Sequence, residues 1–160
     1  MVFYDFKRNG IREDTIFCND RTINQLNGWS ETGSLSNSLY FNASSDQYYL
    51  KCPNKRDSFT VSDTEKGNSA LTYPVGLLTT AEHSLIGNHT ANKTNATYWS
   101  SAPGSFNYYY ASERSVYSTG RWYNVNGVYD SGSVRPSLSL RPGTNFASGT
   151  GTTEDPYIVG

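Results

Sequence analysis

The sequence YWSSAPGSFNYYYASERSVYSTGRWYNVNGVY, residues 98–129, decides both the fold and the function that we expect of this chain. It holds seven of the thirteen tyrosines and two of the three tryptophans, set among Ser, Gly, Asn, Ala and Arg. Tyrosine offers rigid amphipathic area at a low cost in conformational entropy, and Ser, Gly and Asn offer adaptable hydrogen bonding. A core segment would use Leu, Ile and Val instead. The composition is typical of a binding surface and points away from catalysis.

The same stretch predicts antiparallel strands. Residues 114–117 and 121–125 flank residues 118–120, a short glycine-containing loop of hairpin length. Three consecutive tyrosines, residues 108–110, would place rings on both faces of a strand, and both faces cannot be core. We therefore expect an exposed aromatic surface. Residues 134–140 alternate apolar and polar side chains, which predicts a further half-buried strand.

The clearest helical signal lies upstream, in TTAEHSLIG, residues 79–87. Thr79 and Glu82 have the spacing of a capping box at the start of a helix. A second, weaker helix is predicted near residues 11–17 or 20–26. Other short apolar segments are expected to be strands, and the last of them is predicted to pair with the first strand and bring the chain ends together. These segments are residues 2–8, 39–41, 48–50, 59–61 and 156–159, the last pairing with residues 2–6.

Length and composition limit the classes of protein that the chain can belong to. At 160 residues it corresponds to one domain, or to one domain with a short appendage. Only 36% of the residues are hydrophobic and 17% are charged, which suits short strands and long polar loops. The formal net charge is −1, without runs of like charge, so we expect no nucleic-acid partner. No apolar stretch approaches the roughly 18–20 residues of a membrane-spanning helix, so no membrane insertion is expected.

Two cysteines, Cys18 and Cys52, leave none unpaired if they form a disulfide. Such a bridge would stabilise the fold by about 3–4 kcal/mol in the chain-entropy model. The alternative is two separate buried thiols in a protein of a reducing compartment. The rest of the composition favours the disulfide and an extracellular location. Residues 2–6 read as a strand and not as a signal peptide, so an exported form would have lost its leader or belong to a longer chain.

Residue types that catalysis or metal binding requires are not grouped in this sequence. His83 and His89 lie six residues apart without cysteines or paired acids beside them, and His83 is expected to be exposed on its helix. The acidic residues are scattered, whereas calcium needs clustered oxygen ligands. No glycine-rich phosphate loop and no nucleophile elbow occurs. The sequence predicts no catalytic residues, no metal site and no cofactor.

Six stretches together resemble one known family, the C-type-lectin-like domains of gut Firmicutes and their prophages. The similarity spans nearly the whole chain. It implies a C-type-lectin-like fold in which the terminal strands pair, about two helices flank antiparallel sheets, and a long loop region carries the ligand surface. The stretches are FCNDR at 17–21, KCPNKRDSFTVSD at 51–63, ALTYPVGLLTTAE at 70–82, ATYWSSAPGSF at 96–106, SVRPSLSL at 133–140 and GTGTTEDPYIV at 149–159.

The resemblance also implies a division between fixed and variable positions. Some C-type-lectin-like domains of phages and bacteria are diversified by retroelements that mutate adenines, which turns Asn codons into a restricted set of residues. Between residues 107 and 132 only Glu113 and Trp122 fall outside that set when Thr119 is counted within it, as expected of a hypervariable surface around a fixed framework. A selected binding surface without such a mechanism would use the same residues. The implied framework residues are Trp99, Trp122, Val134, Arg135 and Leu138.

Two activities known in this fold are not implied for this chain. Calcium-dependent sugar-binding members carry a Pro-centred triplet and a Trp-Asn-Asp triplet, and residues 122–124 lack the acid. Formylglycine-generating relatives need a reactive cysteine pair in the C-terminal half, whereas both cysteines here precede residue 53. We therefore do not expect an enzyme.

Together these observations predict a single C-type-lectin-like domain over residues 1–160, with a ligand-binding subregion at about residues 98–135. It would recognise a protein or glycan, on a bacterial cell surface or a phage virion. The alternative is a structural or assembly subunit of a phage particle or cell-surface appendage, which would self-associate through the same surface. The residues predicted to contact the ligand are Tyr108, Tyr109, Tyr110, Ser112, Tyr117, Arg121, Tyr123, Val125, Tyr129 and Asp130.

Overall fold

The described part of the chain is mixed in class, with small antiparallel sheets and one α-helix, as the α+β prediction requires. The computed structural model describes residues 10–19, 34–35, 41–42, 47–48, 50–52, 54–86, 92–106, 109–152 and 154–159, with only the backbone at 34–35, 41–42, 47–48 and 122–125. The elements are β1 (Phe17–Cys18), β2 (Ser34–Leu35), β3 (Phe41–Asn42), β4 (Gln47–Tyr48), β5 (Ser58–Phe59), α1 (Thr80–Ile86), β6 (Tyr98–Phe106), β7 (Ala111–Val116), β8 (Trp122–Gly127), β9 (Phe146–Ser148) and β10 (Ile158–Val159).

A four-stranded antiparallel sheet, in the order β2-β6-β7-β8, forms the centre of the fold. Its three long strands come from residues 98–129. At the β7–β8 turn the amide of Tyr117 donates to the carbonyl of Arg121 at 2.7 Å. Gly120 has a φ of 85°, a left-handed conformation that glycine adopts without steric cost. The predicted hairpin around residues 118–120 is therefore confirmed.

Helix α1 begins with the predicted capping box. The amide of Thr79 donates to the Glu82 carboxylate at 2.8 Å, and the amide of Glu82 donates to the Thr79 hydroxyl at 3.2 Å. The helix predicted at residues 11–17 is wrong, because a bridge, a turn and strand β1 occupy that segment. There the Thr15 hydroxyl donates to the carbonyl of Arg12, a local bond that favours a turn. The other predicted location, residues 20–26, lies outside the described residues.

His83 joins α1 to the central sheet and is only 4% exposed, so the prediction of an exposed residue is wrong. Its Nδ1 lies 3.4 Å from Oδ1 of the buried Asn92, and its ring centroid lies 5.6 Å from that of Tyr98. The loss of hydration on burial lowers the pKa of His83, and the charge of Arg135 lowers it further. The imidazole is therefore neutral at neutral pH, which suits its position against an aromatic ring.

Tyr98 is the centre of this buried cluster. Its hydroxyl donates to the carbonyl of Asn92 at 3.2 Å and accepts from Nη1 of Arg135 at 3.2 Å. The guanidinium of Arg135 also lies 5.3 Å from the centre of the Tyr98 ring. The structural role expected for Arg135 is consistent with these contacts.

The disulfide between Cys18 and Cys52 is present, as predicted. β1 pairs with β5, with Cys18 opposite Ser58. The hydroxyl of Ser101 in β6 donates to the carbonyl of Cys18 at 2.9 Å, which links β1 to the central sheet. The bridge thus attaches residue 52 to a strand that contacts the centre of the fold.

The segment 134–140 is not the continuous strand that its alternation predicts. Pro136 has no amide to donate, so a regular ladder is interrupted in its middle. Val134, one of the implied framework residues, is 67% exposed. The segment and its flank instead form three isolated bridges, Tyr98 with Ser133, Gly76 with Ser137, and Ile11 with Leu140.

The last strand, β10, pairs with β9. Its predicted partner, residues 2–6, lies outside the described residues. The amide of Arg141 donates to the carbonyl of Gly10, so the start of the described chain lies beside the segment that precedes β9. No helix among the described residues is long and apolar enough to cross a membrane.

Candidate ligand-binding surface

Three exposed tyrosines lie at one end of the central sheet, just before β7 begins and just after β8 ends. Tyr109 is 86% exposed, Tyr129 is 71% exposed and Tyr110 is 41% exposed. The rings of Tyr110 and Tyr129 meet edge to face, with centroids 5.6 Å apart and planes at 88°. Aromatic pairs prefer this geometry. We call Tyr109, Tyr110, Val128, Tyr129 and Asp130 the aromatic end.

A row of small residues crosses the sheet beside the aromatic end. Ser112 of β7 lies opposite Ser105 of β6 and opposite Gly127 of β8. Directly opposed residues of antiparallel strands share one face of a sheet. A Cβ added at Gly127 would lie 2.5 Å from the ring of Tyr129. The Tyr129 ring therefore folds back over Gly127, where only a residue without a side chain leaves room for it.

A closed turn fixes Tyr129. The amide of Gly127 donates to Oδ2 of Asp130 at 2.9 Å, and the amide of Asp130 donates to the carbonyl of Gly127 at 2.9 Å. The amide of Val128 donates to the carbonyl of Ala111 at 3.0 Å, which attaches the turn to β7. Because the backbone is held at these points, a ligand would pay less ordering entropy on binding to this turn.

The structure does not bring all the predicted contact residues together. Tyr117 and Arg121 are exposed, but they lie at the opposite end of β7, about 20 Å from Tyr110 at the usual rise of a strand. The exposed Lys93 is near them, since its amide nitrogen would lie 3.3 Å from a Cβ at Gly120. We call Lys93, Tyr117 and Arg121 the basic end.

Ser112 does not belong to the accessible surface. It is 3% exposed, and its Oγ lies 2.6 Å from Oγ of Ser105. The amide of Ser105 also donates to this hydroxyl at 2.8 Å. We assign Ser112 a structural role between β6 and β7 in place of the predicted ligand contact. Of the other predicted residues, Tyr108 and the side chains of Tyr123 and Val125 lie outside the described part.

Sequence reasoning missed two residues of these surfaces. Val128 is 59% exposed beside Tyr129, and only its position next to that tyrosine could have indicated it. Lys93 is distant in sequence from the hairpin that it approaches, and no pattern in the sequence signals the contact.

Glu113 adds a titratable charge within β7. It lies opposite Pro103 of β6 and Asn126 of β8, partly shielded from water. Burial raises the pKa of Glu113 to about 7, and the charge of the adjacent Arg114 offsets part of that rise. Charged and neutral forms of Glu113 therefore coexist at neutral pH, one residue from Ser112.

Groups of three or more His, Cys, Asp and Glu side chains able to hold a metal ion do not occur among the residues that the structure describes. The candidate surface consists of aromatic rings, one exposed carboxylate and backbone groups. Such a surface can bind by stacking, burial of apolar area and hydrogen bonding.

Comparison with known proteins gave no match, whether to a protein-family model, to a curated protein or to a solved structure.

Proposed function

We propose that this chain is an extracellular ligand-binding domain that recognises a protein or glycan, on a bacterial cell surface or a phage virion, through its aromatic end. The observation that carries the proposal is the exposure of Tyr129 on a turn that hydrogen bonds hold in place, at the same end of the sheet as the exposed Tyr109. Contiguous exposed apolar surface of this kind marks interaction sites. Binding is non-covalent, and the chain acts as a recognition module and not as an enzyme.

The chemistry of tyrosine supports recognition through this surface. Tyr and Trp side chains provide a large share of the binding energy at protein interfaces because they bury much area with few rotatable bonds. The edge-to-face pair of Tyr110 and Tyr129 restricts both rings before a ligand arrives. Presentation of several copies on one particle or cell would raise a moderate affinity by avidity.

We further propose that the chain has a C-type-lectin-like fold and that residues 107–132 form a surface diversified by a retroelement. The support is the resemblance of the six stretches and the restricted composition of the segment. The position of Glu113 adds to it: this residue lies outside the accessible codon set and is half-buried in β7, as suits a fixed position.

Sequencing the locus across sibling isolates or virions tests diversification. We expect substitutions at adenine positions that encode the exposed tyrosines, with Trp99, Glu113 and Arg135 unchanged. An invariant segment would contradict diversification and leave ligand binding to be tested separately.

Binding itself is tested on panels of bacterial cells, virions and glycans. The double variant Tyr109→Ser/Tyr129→Ser should lose about tenfold or more in affinity for any ligand found. The matched control is Tyr117→Ser, which removes a tyrosine from the basic end and should retain binding. Unchanged affinity of the double variant would refute the proposed function.

The alternative, an assembly subunit, is favoured by the different charge of the two sheet ends. Asp130 is exposed at one end, and Lys93 and Arg121 are exposed at the other. Copies could associate head to tail through these ends, and such a contact extends into filaments unless its rotation closes a ring. A mass that rises with protein concentration and falls in Arg121→Gln would identify this function.

A further inference from the structure

We propose that the partner of the aromatic end is a basic segment of another protein, which places a lysine or arginine side chain against the tyrosine rings and beside the carboxylate of Asp130. This inference rests on the proposed function and names the chemical class of its ligand.

The aromatic end contains one charged residue, the exposed Asp130, while Glu113 and the adjacent Arg114 are half-buried in β7. Residues 104–113 and 122–134 contain Glu113 and Asp130 but no lysine or arginine. Strand β2, which pairs with the end of β6 at Phe106 and Ser105, consists of the uncharged Ser34 and Leu35. A partner with positive charge is therefore complementary to this end, and a polyanion is not.

Asp130 is placed to receive a cation. The residue is exposed, and its Oδ2 accepts the amide of Gly127, which fixes the carboxylate next to Tyr129. An ionised carboxylate has about four acceptor sites in total, so this bond leaves capacity for a guanidinium or an ammonium group. Because the turn already holds the carboxylate, little side-chain entropy is lost when a cation binds to it.

The tyrosines supply the second half of the site. Although the Tyr129 ring contacts Tyr110 and folds over Gly127, its side chain is 71% exposed, so part of the ring is in contact with water. Cations, arginine above all, are attracted to the negative face of an aromatic ring. A carboxylate within a turn next to an exposed tyrosine thus combines two groups that favour the same ligand.

Other occupants are less complementary to this end. A neutral glycan would stack on the rings but offers no positive charge to pair with Asp130. A second copy in two-fold contact would place Asp130 near its own equivalent, since a two-fold contact uses the same patch on both partners. The basic end of a second copy also carries positive charge. The variants in the test below distinguish this head-to-tail contact from binding of another protein.

The test pans a random peptide library, displayed on phage, against the immobilised chain and then compares variants. We expect enriched peptides with a net positive charge. Asp130→Asn keeps an oxygen that can accept the Gly127 amide but removes the charge, and should weaken binding of an enriched peptide about tenfold. Tyr129→Leu keeps apolar area but removes the ring and should weaken it similarly, whereas Tyr129→Phe should not. Arg121→Gln at the basic end is the matched charge control and should leave the affinity unchanged.

Each other outcome overturns the inference. If the enriched peptides are neutral or acidic and bind only when Tyr129 is present, the ligand is not a basic segment, while the proposed function stands. Enriched peptides that bind the Tyr109→Ser/Tyr129→Ser variant with unchanged affinity would refute both the basic ligand and the proposed function of the aromatic end. Failure to enrich any peptide would refute a basic peptide segment as the ligand. The proposed function would still stand if the chain binds a glycan and the Tyr109→Ser/Tyr129→Ser variant does not. Self-association that disappears in both Asp130→Asn and Arg121→Gln would show that the occupant is a second copy.

Discussion

At the scale of single residues, two glycines face aromatic rings in different surroundings. A Cβ at Gly127 would meet the exposed ring of Tyr129, and a Cβ at Gly132 would meet the half-buried indole of Trp99. We expect Gly127→Ala to turn the exposed Tyr129 ring away from Tyr110, at a cost of about 0.5–1.5 kcal/mol for the lost edge-to-face pair. Gly132→Ala should cost about 1–3 kcal/mol, because the Trp99 ring is packed and the backbone amide of Trp99 donates to the carbonyl of Ser133.

Chemical denaturation measures both free energies of unfolding, and ligand affinity supplies the second readout. Gly127→Ala should weaken binding at the aromatic end with a smaller loss of stability than Gly132→Ala. Equal destabilisation by the two substitutions would show that the Tyr129 ring is as constrained as the indole.

Tyr98 provides a second residue-level prediction, because its hydroxyl makes two hydrogen bonds in a buried cluster. Tyr98→Phe removes the bonds to the Asn92 carbonyl and to Arg135, and keeps the ring beside His83. We expect a loss of about 1–3 kcal/mol in the free energy of unfolding. Tyr109→Phe is the control, since that side chain is exposed and its change should be close to zero. A neutral Tyr98→Phe would mean that the hydroxyl contributes nothing to joining α1 to the sheet.

At the scale of elements, local signals predicted structure where the partners are close in sequence. The capping box at Thr79 and Glu82 and the hairpin at residues 118–120 each close within a few residues, so the sequence pattern contains both partners. Residues 134–140 differ, because their neighbours are Ile11 and Gly76, which no alternation pattern can indicate. His83 was misassigned for the same reason: the partners that permit its burial, Asn92 and Tyr98, come from outside the helix.

Strand β7 yields a pH-dependent prediction through Glu113. The pKa of Glu113 is about 7 in the folded chain against an ordinary value of 4.5. Between these values the folded state holds a proton that the unfolded state has released, so the contribution of Glu113 is complete below pH 4.5 and is lost as the pH rises through about 7. Glu113→Gln should match the wild type at low pH and exceed its stability above pH 7, by at most about 3 kcal/mol.

The measurement for Glu113→Gln is the urea midpoint across this pH range. Glu154→Gln, at an exposed position, serves as control and should show no such dependence. Titration of His83 affects the stability of the wild type and of the variant alike, so it cancels in the difference between their urea midpoints. A difference that stays constant with pH would mean that the Glu113 carboxyl is hydrated in the folded chain.

At the scale of the whole molecule, composition predicted that an exposed aromatic surface exists, but it did not predict which residues belong to that surface. The crowding of tyrosine between residues 98 and 129 indicated an exposed aromatic surface, and Tyr109, Tyr110 and Tyr129 are exposed at one end of the sheet. Sequence distance could not show that Tyr117 and Arg121 lie at the other end. That separation follows from the length and register of β7, because a strand of six residues places its two flanks far apart.

The disulfide gives the last prediction, because it constrains the chain as a whole. The bridge closes a loop with a sequence separation of 34 residues, for which the chain-entropy model gives about 3–4 kcal/mol. The double variant Cys18→Ser/Cys52→Ser should lose about that amount in the free energy of unfolding, measured by chemical denaturation against the oxidised wild type. Reduction of the wild type should reproduce the loss. The bridge connects β1 with the segment before β5, and Cys18 contacts the central sheet at Ser101, whereas the turn at residues 127–130 is bonded to Ala111 of β7, so affinity at the aromatic end should persist while the variant remains folded. A loss below about 1 kcal/mol would show that residues 18–52 are already restricted in the unfolded chain, since the entropic contribution of a bridge depends on the freedom it removes.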